Sequence, residues 1–242
     1  MTTNNKALLA AAAIAAVLCA VPAFADDSGV YSNTFRIGSE TVFYHTNADD
    51  LQPICTAVPV TGCVPTGVNI KAQNLETLYA AYVRRLSSDF DVELALGYPP
   101  LAKVEGKGPA TVGSVPYNGQ VVSSARWISP TLFLEYKFLP ESSNLRPYVG
   151  VGVNYTTFYD RDTTAVGNEG FGGPTKLSLS ASVGPAGTVG FTYRLAGHWH
   201  FDASYSIARV NSNLEADTAG VIRTTHIQFG PQVLILAGGY SF

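Results

Sequence analysis

The sequence predicts an all-β fold: an eight-stranded antiparallel transmembrane β-barrel of the outer-membrane type, preceded by a cleaved signal peptide. Three observations support this prediction. Apolar residues recur at every second position in many segments, the connections between these segments alternate between short and long, and charged residues make up only 14% of the chain, against about 25% in soluble domains. Without a spanning helix after the N-terminus, a secreted β-sandwich or a membrane barrel remains, and the connections favour the barrel.

The N-terminus has the pattern of a secretory signal peptide. Lys6 precedes an apolar run over residues 7–21, and a small-x-small site at 23–25 is followed by two aspartates. The run is short for a transmembrane helix, which needs about 20 residues, so cleavage after residue 25 is favoured over an uncleaved anchor. The predicted division is a signal peptide at 1–25 and a single barrel at 26–242.

Two cysteines follow the predicted cleavage site. Cys55 and Cys63 lie in a segment rich in proline and glycine. In an oxidising compartment this spacing predicts a loop disulfide. A metal site is the alternative, but no cluster of histidines or carboxylates accompanies the pair in the sequence, so we predict no metal and no cofactor.

The strands are predicted from period-two alternation, which is the pattern of a wall with lipid on one side. Phe90, Val92 and Leu94, for example, alternate with Asp91 and Glu93. Segments of about ten residues or more are long enough to cross the membrane at a tilt. The eight predicted strands cover residues 33–44, 72–84, 90–102, 127–138, 146–159, 177–195, 198–210 and 226–242.

The connections predict the orientation. Short ones lie at 85–89, 139–145 and 196–197, whereas long ones lie at 45–71, 103–126, 160–176 and 211–225. Outer-membrane barrels have short periplasmic turns and long extracellular loops, so both ends of the barrel chain are expected on the periplasmic side. Aromatic residues near the strand ends are expected to form two interfacial girdles: Tyr98, Trp127, Tyr136, Phe138, Tyr159, Trp199, Tyr240 and Phe242.

The last strand is expected to present an aromatic face to lipid. Leu234, Leu236, Gly238, Tyr240 and Phe242 share one face because they are two residues apart. We interpret Tyr240 and Phe242 as a C-terminal assembly signal read by the barrel-assembly machinery. The alternative is that the last ring packs beneath a soluble core.

The stretch LRPYVGVGVNYTTF, from Leu145 to Phe158, resembles the outer membrane protein W (OmpW) family. The segments Ser129–Phe138 and Val92–Leu96 and the closing AGGYSF support the resemblance, which extends over nearly the whole mature chain. The resemblance implies an integral outer-membrane protein of the Gram-negative cell envelope. It also implies a narrow, largely apolar interior that binds or passes small hydrophobic molecules, with sideways exit into the membrane.

The resemblance also suggests which residues line the channel. Family members commonly carry bulky apolar residues that narrow the interior, and Ala95 and Val183 are the aligned positions here. A barrel of eight strands leaves room for side chains or one small ligand, which excludes a wide aqueous pore. Pro185, between glycines, predicts a β-bulge near Val183.

Charged residues on the predicted inner face suggest a salt-linked floor near the periplasmic end, because buried charges need partners. An ion-selective path is the alternative. The residues are Glu76, Asp91, Glu93, Glu135, Lys137, Arg194 and Asp202.

An enzyme is not expected. His200, Asp202 and Ser204 share a strand face, and a histidine can activate a serine, but three such groups along one strand fit polar lining better. A structural or surface-interaction barrel acting through its loops is the alternative function, and a lipid A-modifying enzyme is a distant one. The expected partners are outer-membrane lipid and lipopolysaccharide, the assembly machinery and small hydrophobic solutes. Nucleic acid is not expected, because the formal charge is −3 and no basic block is present.

Overall fold

A computed structural model describes residues 32–56, 61–112 and 115–242 of the chain. The predicted signal peptide lies outside the described residues. Within those ranges the structure contains strands and one short helix. None of the helical structure in the described part of the chain is long and apolar enough to cross a membrane.

The strands are numbered in chain order. The first nine are β1 (Asn33–Tyr44), β2 (Asn47–Ala48), β3 (Asn69–Ala72), β4 (Leu75–Arg85), β5 (Phe90–Gly97), β6 (Leu101–Lys107), β7 (Thr111–Val112), β8 (Val115–Pro116) and β9 (Val121–Ile128). The others are β10 (Thr131–Lys137), β11 (Leu145–Thr163), β12 (Thr175–Leu179), β13 (Ser182–Ala196), β14 (Trp199–Ala208), β15 (Asn211–Thr218), β16 (Val221–Gln228) and β17 (Pro231–Ser241). The helix α1 (Ala165–Phe171) follows β11.

Eight of these strands close into an antiparallel barrel. Their order around the wall is β1, β4, β5, β10, β11, β13, β14 and β17, and β17 pairs with β1 to complete the ring. The closing seam runs from Thr34↔Ser241 to Tyr44↔Pro231. Closure satisfies the backbone groups of both end strands, which lipid cannot do. The predicted eight-stranded barrel is therefore confirmed.

The outer face of the wall is apolar. Ile37 and Val151 are each 70% exposed and Val183 is 71% exposed. The alternate positions turn inward, so that Tyr79 and Ala81 of β4 are buried while Leu78 and Ala80, on the other face, are exposed. This is the arrangement expected of strands with lipid on one side only.

The bulge predicted at Pro185 is wrong. The pairing of β13 with β11 runs from Leu145↔Tyr193 to Thr156↔Ser182 without a shift. The carbonyl of Pro185 accepts a hydrogen bond from the Arg209 amide (3.0 Å) on the β14 side. The nitrogen of Pro185 faces the same side, toward β14, where the regular ladder begins only at Ala186. Its missing N–H therefore removes no hydrogen bond from a ladder.

The long connections, predicted as loops, contain further strands. β6 and β9 pair with each other, and β9 continues onto β11 while β3 continues onto β6. A second sheet, β12–β15–β16–β2, forms from the connections that follow β11, β14 and β1. These sheets extend the barrel beyond the end that carries the long connections, which is its predicted extracellular end.

The main apolar core lies in this extracellular extension. Its fully buried members include Leu51, Val122, Ala216 and Ile227. Tyr117 also belongs to it, and its ring lies against Gly106, where an added Cβ would come within 2.5 Å of the ring. A smaller apolar cluster lies inside the barrel around Tyr79, Ala95, Phe133 and Ile235.

Candidate functional site: an apolar cavity above a charged floor

A buried arginine forms the centre of the barrel floor. Arg36 of β1 is 1% exposed, because its two outward-facing neighbours turn it into the interior. It forms ion pairs with Glu93 of β5, with Glu135 of β10 (Nη1 to Oε1, 3.6 Å) and with Asp202 of β14 (Nη2 to Oδ2, 3.3 Å). One guanidinium therefore links four strands across the barrel.

Hydroxyl groups complete the floor. Tyr79 donates to Glu93 Oε1 (2.8 Å), and Tyr148 and Thr192 donate to Asp202 at 3.1 and 3.0 Å. The carboxylate oxygens of Glu135 accept no hydrogen bond from any residue in the described part of the chain. The floor thus holds three carboxylates against one guanidinium.

The structure brings most of the predicted inward charges together. Lys137 pairs with Asp91 next to the Arg36 cluster. Glu76, however, is exposed on the outer face of β4, and Arg194 is exposed and donates to the backbone oxygen of Glu141 (2.8 Å). The sequence prediction missed Arg36, whose position between Phe35 and Ile37 on a period-two segment was the available signal.

A small chamber lies above the floor. Its lining includes Glu40, Ala95, Phe133 and Ile235, and its volume is roughly 490 Å³ when its open side and the gaps between side chains are counted with it. Ala95 is 8% exposed, in keeping with the predicted inward direction. We call this space the lower chamber.

Val183 does not line the interior. Its side chain is 71% exposed on the outer face of β13, whereas its neighbours Ser182 and Gly184 are buried. Regular alternation continues past Pro185 because no bulge occurs there. The assignment of Val183 as a channel-lining residue is therefore wrong.

An apolar cavity lies at the extracellular end of the barrel. Its volume is about 820 Å³ when the open side and the gaps between the lining side chains are counted with it. Aromatic rings form part of its wall: the Phe158 and Phe229 centroids are 5.4 Å apart, and Tyr44 meets Phe229 edge-on at 6.2 Å. Other lining residues are Ile70, Val104 and Leu214. We call this space the upper pocket.

Trp127 separates the two spaces. It and Ser129 line both the upper pocket and the lower chamber. Trp127 is only 9% exposed and packs with Val42 and Ala102. The prediction that this residue belongs to an interfacial girdle is wrong, because β9 turns Ala125 and Trp127 to the same, inner side.

The wall of the barrel is interrupted beside Trp127. The ladder between β5 and β10 ends at Ala95↔Thr131, and the ladder between β6 and β9 starts at Leu101↔Arg126. Residues 96–100 and 127–130 have no ladder pairing across this seam. Prolines, which have no backbone N–H to donate, lie in both segments: Pro99, Pro100 and Pro130.

Of the residues on β14 that were considered as a catalytic group, Asp202 is part of the charged floor. Asp202 accepts hydrogen bonds from Tyr148 and Thr192 and pairs with Arg36. Ser204 is buried on the same face. Among the residues that the structure describes, no three histidine, cysteine or acidic side chains are placed to hold a metal ion.

The C-terminal aromatic residues lie on the outer face. Tyr240 and Phe242 are 39% and 47% exposed, and Phe242 stacks on Phe35 of the neighbouring strand at 5.5 Å. The backbone of Phe242 exchanges two hydrogen bonds with Asn33 (3.1 and 2.8 Å). The last strand is thus paired to its final residue.

Cys55 and Cys63 form a disulfide in the extracellular connection after β2. Backbone hydrogen bonds join the same segment, from Cys55 N to Val64 O (2.9 Å) and from Val64 N to Pro53 O (2.8 Å). The disulfide lies outside the barrel wall and contributes no group to either cavity.

Comparison with known proteins gives one consistent result. Outer membrane protein W of Vibrio cholerae serotype O1 is 26% identical over 237 residues, which are 98% of this chain and 100% of that protein. Outer membrane protein W of Escherichia coli K12 is 32% identical over 121 residues, 50% of this chain and 56% of that protein. These relatives are outer-membrane proteins.

Solved structures share the fold. The crystal structure of OprG from Pseudomonas aeruginosa superposes with a TM-score of 0.74 at 22% identity, covering 88% of this chain and 96% of that one. The structure of AlkL in lipid bilayers superposes with a TM-score of 0.62 at 22% identity, covering 90% and 94%. The model of the OmpW family matches residues 55–242. The chain is therefore an integral outer-membrane β-barrel and belongs to the OmpW family.

Proposed function

We propose that this barrel binds small hydrophobic molecules in the upper pocket and releases them sideways into the outer membrane. The observation that supports this proposal most strongly is that the upper pocket, the lower chamber and the interrupted seam adjoin one another. The upper pocket and the lower chamber share Trp127 and Ser129 as a wall, and both residues belong to the segment that borders the interrupted seam. The charged floor lies directly below.

The floor makes straight passage to the periplasm unfavourable for an apolar solute. The solute would have to separate ion pairs that are almost fully buried, such as Arg36 with Asp202. Charges left unpaired in a dry interior are costly. A closed floor therefore directs an apolar solute toward the wall.

The seam between β5 and β10 is the part of the wall suited to release. Separating residues 96–100 from residues 127–130 breaks no ladder bond between these two segments, although Arg126 donates to the Pro99 carbonyl (3.0 Å) across the seam. Beyond the wall is hydrocarbon, so the solute passes from one apolar environment to another without exposure to water. The transfer then needs no energy source.

The test is replacement of Ala95 by Trp, with Val183→Trp as the matched control. Ala95 lines the lower chamber but not the upper pocket, whereas Val183 is on the outer face. We expect Ala95→Trp to slow delivery of an apolar fluorescent probe into the bilayer of proteoliposomes, with binding retained. Val183→Trp should transfer the probe as the wild type does.

Equal delivery by all three proteins would remove the lower chamber from the path. It would favour the alternative of a structural or surface-interaction barrel that acts through its extracellular sheets. Heat-modifiable mobility on unboiled gels shows that each variant has formed its barrel.

We also propose that Tyr240 and Phe242 are read by the barrel-assembly machinery during insertion. Their rings are partly exposed on the outer face of the last strand, and that strand forms the closing seam with β1. A factor that guides closure would meet these rings before the seam forms.

A further inference from the structure

We propose that the upper pocket selects apolar molecules that carry a neutral oxygen acceptor, such as a ketone, an aldehyde or an ester, and that the indole N–H of Trp127 recognises this oxygen. The inference rests on the proposed function and adds the chemical class of the ligand. Trp127 is a specificity-determining residue in this proposal.

The indole N–H is a buried donor that lacks a hydrogen bond of good geometry. Trp127 is 9% exposed, and no residue that the structure describes accepts from its Nε1 within hydrogen-bond distance and angle. The Tyr44 hydroxyl, which lines the same pocket, is the polar group beside the indole and interacts with it outside that geometry, so a better-placed ligand oxygen would replace this contact. Because a buried donor without a partner loses the hydrogen bond that it made to water, a ligand oxygen placed here would recover that loss.

Nearby hydroxyl groups are already engaged. Ser129 and Thr156 line the same pocket, but their side-chain oxygens are 2.6 Å apart. Asn154 closes the group, since its Nδ2 donates to Ser129 and its Oδ1 accepts from Thr156, both at 2.8 Å. These three residues satisfy one another, whereas Trp127 Nε1 has no such partner among the described residues, and most of the other residues that line the upper pocket are apolar.

The ligand oxygen is expected to be neutral. Glu40 lines the lower chamber on the other side of Trp127, is 7% exposed and forms no salt bridge within the described ranges. None of the described residues that line the upper pocket is charged, so an anionic ligand would lose its hydration there without a counter-charge. A carbonyl oxygen accepts the indole hydrogen without that loss.

The experiment compares 2-octanone with octane as competitors of a bound fluorescent apolar probe, in wild type and in Trp127→Phe. A neutral hydrogen bond contributes about a two- to tenfold change in affinity. We expect the ratio of ketone affinity to alkane affinity to fall by about that factor in Trp127→Phe. In Phe158→Leu, which alters an apolar part of the same pocket, the ratio should stay at the wild-type value.

A second measurement does not depend on the Trp127 variant folding. The chain has two tryptophans, and Trp199 is exposed on the outer face. In Trp199→Phe the emission comes from Trp127 alone, and 2-octanone should shift it to longer wavelength than octane does.

Each other outcome has a defined meaning. An unchanged ratio in Trp127→Phe, or identical emission with both ligands, would overturn the assignment of the donor and leave the proposed function standing. Tighter binding of octanoate than of 2-octanone would overturn the preference for a neutral oxygen. If neither compound displaced the probe from wild type, the proposed function would fail and this inference with it.

Discussion

Replacing Arg36 by Met tests the floor directly. The substitution preserves approximate side-chain length but removes the only guanidinium among Glu93, Glu135 and Asp202. At an effective dielectric constant of about 20, an ion pair at the 3.3 Å separation from Asp202 contributes about 5 kcal/mol before desolvation. Removing one partner of a buried pair typically destabilises a protein by about 3–5 kcal/mol, because the other charge stays buried.

Glu135→Gln is the matched control. It also breaks an ion pair with Arg36, at 3.6 Å, but it removes one of the two excess carboxylates. Neither carboxylate oxygen of Glu135 accepts a hydrogen bond from the described residues. We therefore expect its free energy of unfolding to stay within about 1 kcal/mol of wild type.

The assay is urea unfolding in lipid vesicles, followed by the mobility shift between folded and unfolded barrels on unboiled gels. The slope with urea should be unchanged if the folded barrel buries the same surface. An Arg36→Met barrel as stable as wild type, with the same slope, would refute the view that the arginine neutralises the floor. A double variant with Glu135→Gln should recover part of the loss, since the two residues are in contact.

Two further predictions follow from the ends of the molecule. Phe242→Ala keeps the backbone hydrogen bonds to Asn33 and loses a ring whose burial contributes only about 1.5–3 kcal/mol, yet we expect this variant to accumulate unassembled in the periplasm. The control Phe35→Ala, which removes the ring that stacks on Phe242, should assemble normally. Equal membrane yields of the two variants would leave the last ring without a signalling role. Burial raises the pKa of Tyr117 to about 12 from its ordinary value of about 10. Because the unfolded chain ionises this phenol more readily, the contribution of the neutral phenol to the stability of the extracellular core is complete below pH 10 and is lost as the pH rises toward 12. Hydrogen exchange of that core should show the loss in wild type and not in Tyr117→Phe; the same loss in both would contradict the assignment.

The barrel could be predicted because its physical requirement is periodic. A wall between lipid and a narrow interior forces alternation, and the segments at 90–97 and 131–137 show it without ambiguity. The extracellular strands were missed because they extend beyond the lipid. β15, for example, has the sequence NSNLEADT and its outer side faces water, so no apolar face identifies it.

The site could be predicted only in part. Ala95 was correctly directed inward from its parity with Leu94 and Leu96. Val183 was assigned to the channel from its alignment with the lining positions of the family. The ladder between β11 and β13 runs past Pro185 without a bulge and turns this side chain outward. Trp127 was misplaced because nearness to a strand end does not tell which face a ring occupies.

Under the proposed function, the division of the interior would let one narrow barrel exclude ions while handling apolar solutes. The floor places its charges where alternate positions of four strands meet, so each carboxyl is oriented by a different strand. An ion crossing it would have to displace Arg36 from partners in a poorly hydrated space. An apolar solute that leaves by the proposed path has no such requirement, because the interrupted seam next to Trp127 is above the floor. In the proposed path, selectivity would come from the height of the exit relative to the floor, which a wider barrel with an open lumen could not provide.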